Sequence, residues 1–551
     1  MIHRLKKIWL VLNRTERQYA LGLVIIFIVA LGGVLWFVII STTTTFPARG
    51  GTLRIGVVGQ PTSLNPLLSE SGAEKDITHL LFSPLSKLTE TIELTKTGDA
   101  WTVRLKEDLV WHDGQPIISD DIIFSGEQIQ DPSTQSPLFS YWQGAQFERL
   151  SEREVKIVPP PRSSPLLFEE HLKRLSPIPK HIFSSTPPQN WSLSEYNLRP
   201  VGSGPYRFQK MVLENDGFLQ SYTLSAFREG NEKNTPYIQT ILVRLFKDRK
   251  EAETDFRYGK IDSLGGIDPY EAKSIGRPAQ TILYQTPSYY AVFINQSQNN
   301  LLKNSSIRKV LDGSIPRDQL VSAVLNNYGV GITTPHLPLG ENKEVDRSQE
   351  ILNTLGWTKN VEGKLERAVG DQKEKPEDLV LTVPNLPFLE HTARLLKESW
   401  EDIGFTVTVK VMPSEKVTEE IVPRRDYQLL LFGNVPQPQE DLYPFWHSSQ
   451  IFHPGLNLSL YKNPSLDTLL TKIRATTSSP ERATVVEEAE RLIRDDLPAI
   501  FLYSPAYVHL TTKELKGIKP NESFIFPEDR FSDISEWHLR TKRALKETNT
   551  P

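Results

Sequence analysis

The longest apolar run lies close to the start of the chain. Tyr19 to Ile40 (YALGLVIIFIVALGGVLWFVII) is 22 residues without a charge. As a helix it is about 33 Å long, against a bilayer core of about 30 Å. Beyond it the apolar positions recur with period 2 or period 3.6. Leu53, Ile55 and Val57 alternate within Thr52 to Val58, which predicts a strand. Trp101 to Leu105, Leu109 to Trp111 and Val155 to Val158 predict further short strands. His112-Asp113-Gly114 marks a turn, and Gly202-Ser203-Gly204-Pro205 marks another that leads into a strand at Tyr206. Ser119 is placed to cap a helix that has Asp120 and Asp121 in its first turn.

The second half holds the clearest unit. Leu379 to Val383 predicts a strand, and Leu389, Ala393, Leu396, Trp400 and Ile403 follow at helical spacing, with Gly404 at the C-terminal cap. Phe405, Val407, Val409 and Val411 alternate as the next strand, and Tyr427 to Phe432 is a further apolar one. Strand, helix and strand joined by short loops imply a parallel pair with a right-handed crossover. Ala483 to Leu497 predicts a helix and Ile500 to Tyr503 a short buried strand. Glu366 to Asp378 is charged and lacks apolar periodicity, so it is expected to be an exposed loop.

Charge gives the apolar run a direction. Residues 1–18 hold five cations against Glu16, a net +4, which leaves −8 on the remainder of a chain whose total is −4. A basic segment before an uncharged span belongs on the cytoplasmic side. The expectation is a cytoplasmic segment 1–18, a transmembrane helix 19–40 and a tether 41–50, with the body outside the cell membrane. A cleaved leader is the weaker reading, because the run is long and no small-x-small site follows in STTTTFPARGG. A mildly acidic body also argues against nucleic acid as a partner.

The 551 residues suffice for about three folding units. The chain has no cysteine, so disulfides, thiolate metal sites and cysteine nucleophiles are excluded. No phosphate-binding loop, G-x-S-x-G, H-E-x-x-H or dinucleotide fingerprint occurs. His112 and Asp113 are adjacent in a turn and need not face each other. His447 and His453, near Glu440 and Asp441, match no metal-ligand spacing. The sequence therefore offers no catalytic residue set, no metal site and no cofactor site, and the chain is not expected to be an enzyme.

Six stretches, in order, resemble the bacterial extracytoplasmic solute-binding proteins of family 5, the oligopeptide-, dipeptide- and nickel-type binding components of ABC importers. They are GGTLRIGVVGQPTSLNPLLS (Gly50 to Ser69), ITHLLFSPLSKL (Ile77 to Leu88), WTVRLKEDLVWHDGQPIISDDIIFS (Trp101 to Ser125), RPVGSGPYRF (Arg199 to Phe208), RKVLDGSIPRDQLVSAVLNNYG (Arg308 to Gly329) and LYKNPSLDTLL (Leu460 to Leu470). The resemblance implies a two-lobed α/β fold of the periplasmic-binding-protein type, with three intertwined domains. Lobe I would comprise a core of 51–82, 195–284 and 505–540 and an accessory domain of 83–194; lobe II would be 285–504, and 541–551 a tail. The implied function is capture of a peptide or other small solute between the lobes and its delivery to permease subunits. A tethered sensor or adhesion module that kept the fold without a permease is the alternative, and a neighbouring permease gene would discriminate between them.

Ligands of open α/β sheets sit at the carboxyl ends of the strands. That rule points to Ser63 and Asn65 after the first strand and to Gly433, Asn434 and Gln437 after a late one. Tyr289, Tyr290, Asn295, Trp446 and Tyr503 complete the expected ligand contacts, with hinges near Gln285 to Ser288 and Tyr503 to Ala506. The chain departs from the family pattern after the first helix, where Glu90 to Ala100 is a shortened link. It reads Asn65 where the family has an aspartate, and Gln437 stands where the resemblance implies an aspartate for the amino terminus of a peptide. Glu440 and Asp441 are the nearby carboxylates that could replace it.

Overall fold

The computed structural model describes residues 13–545, apart from 96, 162, 164, 228–234, 272–278, 336–346, 435–440 and 521–523. The run of apolar residues forms one helix, α1 (Arg14–Thr42), long and apolar enough to cross a membrane, and its most apolar stretch is not buried by the described residues.

The body is built on a twelve-stranded sheet. In chain order its strands are β1 (Thr52–Val58), β2 (Tyr206–Leu213), β3 (Leu219–Ala226), β4 (Thr240–Phe246), β5 (Ser263–Ile267), β6 (Gln280–Gln285), β7 (Tyr289–Ile294), β8 (Gly329–Gly331), β9 (Leu379–Pro384), β10 (Val407–Met412), β11 (Leu429–Asn434) and β12 (Ala499–Thr511). The spatial order is β10-β9-β11-β7-β12-β5-β1-β4-β3-β2, with β6 and β8 also paired to β12. β12 is therefore the spine. Its first residues pair with β7 (Tyr290 with Tyr503), and its later ones pair with β6 (Gln285 with Ala506) and β5. The strand–helix–strand unit is as the spacing implies: β9 and β10 are parallel, joined by the helix Pro387–Asp402.

Each half of the sheet is covered on both faces. Near β7, odd and even positions divide cleanly. Tyr289, Ala291 and Phe293 join one apolar core with Leu430, Trp446 and Phe501. Val292 and Ile294 join another with Leu381, Leu396, Trp400, Ile500 and Tyr503. A strand buried on both faces reads as a continuous apolar run, which is why YYAVFI shows no alternation. The other half packs Leu53, Ile55 and Val57 against the helix Gly72–Leu81 and a separate four-stranded antiparallel sheet of 89–94, 101–105, 146–151 and 154–158.

Several local expectations are corrected. The stretch from Glu366 to Asp378 is not a plain loop, since Leu365–Val369 and Gln372–Glu374 form a hairpin. Cross-strand charge pairs hold it in place of apolar contacts, Arg367 with Glu374 at 2.6 Å and Lys373 with Glu366 at 2.5 Å. The strand expected to end at Tyr503 runs on through Pro505 to Thr511. Leu109 to Trp111 makes only a single bridge, Val110 to Pro116. Ser119 is the first helical residue rather than the cap, and the Asp121 carboxylate takes the Ile118 N–H at 3.0 Å in its place. The tether is not a free segment either. Thr43–Ala48, rich in β-branched threonine, pairs antiparallel with Arg540–Leu545 near the C-terminus.

Candidate functional site

The loops singled out by the sequence leave the sheet at the carboxyl ends of β1 and β11, on either side of the crossing along β12. After β1 the chain is shaped by one carboxylate. Glu74 Oε1 accepts the Thr62 N–H and hydroxyl and the Ser63 N–H, and its Oε2 accepts the N–H groups of Glu70 and Ser71. Burial opposes this charge, but the hydrogen bonds outweigh it and hold the Glu74 carboxyl down at about 2. Ser63 Oγ donates to Asn197 Oδ1 at 2.7 Å, and Asn197 Nδ2 donates to the Thr62 carbonyl at 2.7 Å. Asn65 is buried, and its Oδ1 accepts the Leu67 N–H. Ser63 and Asn65 thus hold the loop together, and only Ser63 is partly exposed.

Across the cleft, the register of β7 on β11 sets Tyr289 opposite Asn434 and Tyr290 opposite Gly433. The two tyrosines point to opposite faces. Tyr289 is buried, its hydroxyl accepting from Asn434 Nδ2 at 3.1 Å and its ring 5.5 Å from that of Phe501. Trp446 is buried on the same face, 5.8 Å from Phe501. Tyr290 is half-buried and packs 5.2 Å from Phe388 and 5.6 Å from Tyr503. Gly433 leaves room for that ring, since a Cβ there would stand 2.7 Å from it. Tyr503 is fully buried and its hydroxyl bonds Thr392 Oγ1 at 2.8 Å. Burial pushes the hydroxyls of Tyr289, Tyr290 and Tyr503 up, so all three are neutral donors or acceptors.

Among the described residues, both loop-bearing strands outrun the ladder on one side. β11 pairs with β9 only at Leu429 and Leu430, so the ladder on that side stops before Leu431. β1 pairs with β5 only at Ile55 and Gly56. Unpaired strand edges offer backbone donors and acceptors to an extended chain.

The remaining expected residues fall elsewhere. Asn295 is buried at the far end of β7, donating to the Arg425 carbonyl and accepting from Ser297. Gln437 and Glu440 lie outside the described residues. Asp441 is buried and its charge is already paired with Arg474 at 2.6 and 3.2 Å. His447 stacks on Tyr443 at 4.1 Å, and among the described residues no group of three acidic or histidine side chains could hold a metal ion. Phe388, His391 and Thr392 were not anticipated. The rule of strand carboxyl ends also covers the turn after β9, where the helix Pro387–Asp402 starts, and could have found them.

Two crossing segments are bonded to each other beside these loops. Gln285 Nε2 donates to Ser504 Oγ at 2.9 Å, Ser504 Oγ donates to the Thr286 carbonyl at 3.0 Å, and Thr286 Oγ1 donates to the Pro505 carbonyl at 2.9 Å. Asn326 Nδ2 reaches the carbonyls of Pro269 and Tyr270, and the Tyr270 ring lies 6.0 Å from His391.

Comparison with known proteins gives this geometry a context. The family model described as "Bacterial extracellular solute-binding proteins, family 5 Middle" matches residues 83–453. The oligopeptide-binding protein AppA of Bacillus subtilis (strain 168) is 25% identical over 528 residues, covering 90% of this chain and 92% of AppA. Its structure in complex with a nonapeptide aligns with a TM-score of 0.60 at 24% identity, over 90% of this chain and 100% of that one. The substrate-binding protein CtaP of Listeria monocytogenes aligns with a TM-score of 0.72 at 23% identity, covering 89% and 99%. The unliganded open form of the murein tripeptide-binding protein MppA aligns with a TM-score of 0.72 at 16% identity, covering 91% and 99%.

Proposed function

The chain belongs to family 5 of the bacterial extracellular solute-binding proteins, and from that premise we propose that it is a membrane-anchored receptor that captures peptides between two lobes and passes them to an ABC permease. The observation that carries the reading is that two strands ending toward the crossing outrun their ladders among the described residues, β1 beyond Gly56 and β11 beyond Leu430. Backbone pairing at such edges binds extended chains with little regard to their side chains. Tyr290, Gly433 and Ser63 are the partly exposed residues beside those edges, and Tyr289, Asn434, Trp446 and Tyr503 support them from behind.

Lobe I is then the half built on β1 to β5 and lobe II the half from Gln285 to Ser504. The crossings at 285–288 and 503–506 act as the hinge. The helix α1 and the +4 segment before it support an anchor with the body outside.

The test is to purify the full chain in mild detergent and identify co-purifying ligand by mass spectrometry, then add the recovered peptides to emptied protein and follow thermal melting. Peptides in the eluate that raise the melting temperature are expected. An eluate without peptide, and no shift with any peptide pool, would overturn the peptide reading and favour a binding-protein fold retained for sensing or adhesion.

A further inference from the structure

The membrane-proximal end of the chain carries charge that ligand capture does not use. α1 ends at Thr42 and the strand Thr43–Ala48 starts at the next residue. Its antiparallel partner puts Arg543 opposite Thr45, Lys542 opposite Phe46 and Arg540 opposite Ala48. At about 3.3 Å per residue these cations stand roughly 10, 13 and 20 Å beyond the end of the helix. The headgroup layer extends about 5–8 Å outside the hydrocarbon core on each side. Surface charges in physiological salt act over about 8 Å.

All three side chains are exposed, and none has an ion pair or hydrogen bond among the described residues. The two strands contain no acidic residue. Phe46, itself 43% exposed, is the register partner of Lys542 and sits where interfacial aromatics are found. The rest of the body is net acidic, whereas these two strands carry only positive charge. Both strands join lobe I. Gly50 N–H donates to the Tyr237 carbonyl at 2.8 Å, and the Tyr237 and His538 rings lie 6.0 Å apart.

We propose that Arg540, Lys542 and Arg543 bind the anionic phospholipid headgroups of the membrane that α1 enters, and so dock lobe I on the bilayer while lobe II stays free to move. The proposal rests on the anchor reading above. It gives the C-terminal strand a task that a mere tail would not have.

The chain has no cysteine, so a single Thr541→Cys carries one donor dye. The full chain is placed in nanodiscs of phosphatidylcholine, or of phosphatidylcholine with added phosphatidylglycerol, each with a headgroup-linked acceptor. One cation near an anionic surface shifts the docked-to-undocked ratio about fivefold, so Arg543 and Lys542, the nearer two, shift it on the order of 25-fold and Arg540 adds less. Energy transfer is expected to be higher in the phosphatidylglycerol discs. It should fall to the phosphatidylcholine level in high salt and in the variant Arg540→Gln/Lys542→Gln/Arg543→Gln. The variant Arg540→Lys/Arg543→Lys should keep it. Equal transfer in the two kinds of disc, or a triple variant that still responds to phosphatidylglycerol, overturns the docking while leaving the anchor intact. A chain that never co-sediments with the discs overturns the anchor and the docking together.

Discussion

His112 shows how a residue that looks chemical can be structural. Its Nδ1 accepts the Gly202 N–H at 3.1 Å, so the neutral ring must carry its proton on Nε2, which donates to the Gly204 carbonyl at 3.0 Å. Neither glycine tolerates a side chain: a Cβ at Gly202 would collide with the Leu81 carbonyl oxygen, and one at Gly204 would come within 2.6 Å of the Leu81 backbone. Burial drives the His112 ring down to about 4 from its ordinary 6.5. An unfolded chain takes up this proton below 6.5 while the folded one refuses it until about 4, so stability is lost as pH drops from 6.5 to about 4, by about 1.4 kcal/mol per unit. His112→Ala is expected to destabilise the body by about 2–4 kcal/mol, because it strands two backbone groups. It should also flatten the pH slope by about one proton. Urea melts at neutral and mildly acidic pH read both, and a slope equal to that of the wild type would count against this role.

The same scale bears on ligand charge. Asp441 is taken by Arg474, and Gln437 is neutral. N-acetylation of a bound peptide is therefore expected to change its affinity by less than tenfold, or about 1.4 kcal/mol. Paired calorimetric titrations of the free and acetylated forms decide it; a larger loss would mean that another carboxylate meets the amino terminus.

Among the elements, β12 matters most, because one strand serves both halves of the sheet. Its residues at the crossing are cross-bonded to the segment beside it, and Ser504 takes part in two of the three side-chain bonds there. Ser504→Ala leaves the fold but removes both, at a net cost of about 1–3 kcal/mol. Amide exchange is expected to quicken in residues 285–289 and 503–506 and to stay unchanged in the helix Pro387–Asp402. Uniform quickening across the chain would mean that the crossing is not a separate mechanical unit. The helix itself was legible from spacing alone, since Leu389, Ala393, Leu396 and Trp400 are all buried. β12 was legible only in its first part, as Pro505 reads as a strand end and only tertiary pairing carries the strand through it.

For the whole molecule, closure is the measurable consequence of a ligand that binds the closed form more tightly. Solution scattering of the body is expected to give a smaller radius with saturating peptide, and an unchanged profile would refute a clamshell. Anchoring predicts that protease added to intact spheroplasts degrades the body. A mature protein beginning near Ser41 and released by washing would instead mean that the apolar run is a cleaved leader. The two-stranded link between Thr43–Ala48 and Arg540–Leu545 brings both ends of the body to the same point. A separate tether and tail, as expected from composition, would not.

The sequence by itself determined the apolar helix, the alternation of strands and helices, the family, and the absence of a catalytic motif. Each of these is written in local spacing or in motifs of a few residues, which the chain carries without folding. Only the tertiary structure decided which expected residues meet. Tyr289 and Tyr290 are neighbours in sequence, yet the period of two turns one fully into the core and leaves the other partly exposed on the opposite face. Asn295, just past the end of β7, lies at the opposite end of that strand from Tyr289 and Tyr290 and bonds the Arg425 carbonyl, because nothing local marks which end of β7 lies beside the crossing. The pairing of a threonine run with a basic strand almost five hundred residues later likewise has no local signature. Contacts between distant segments are set by how whole faces pack, and no window of the sequence contains both partners.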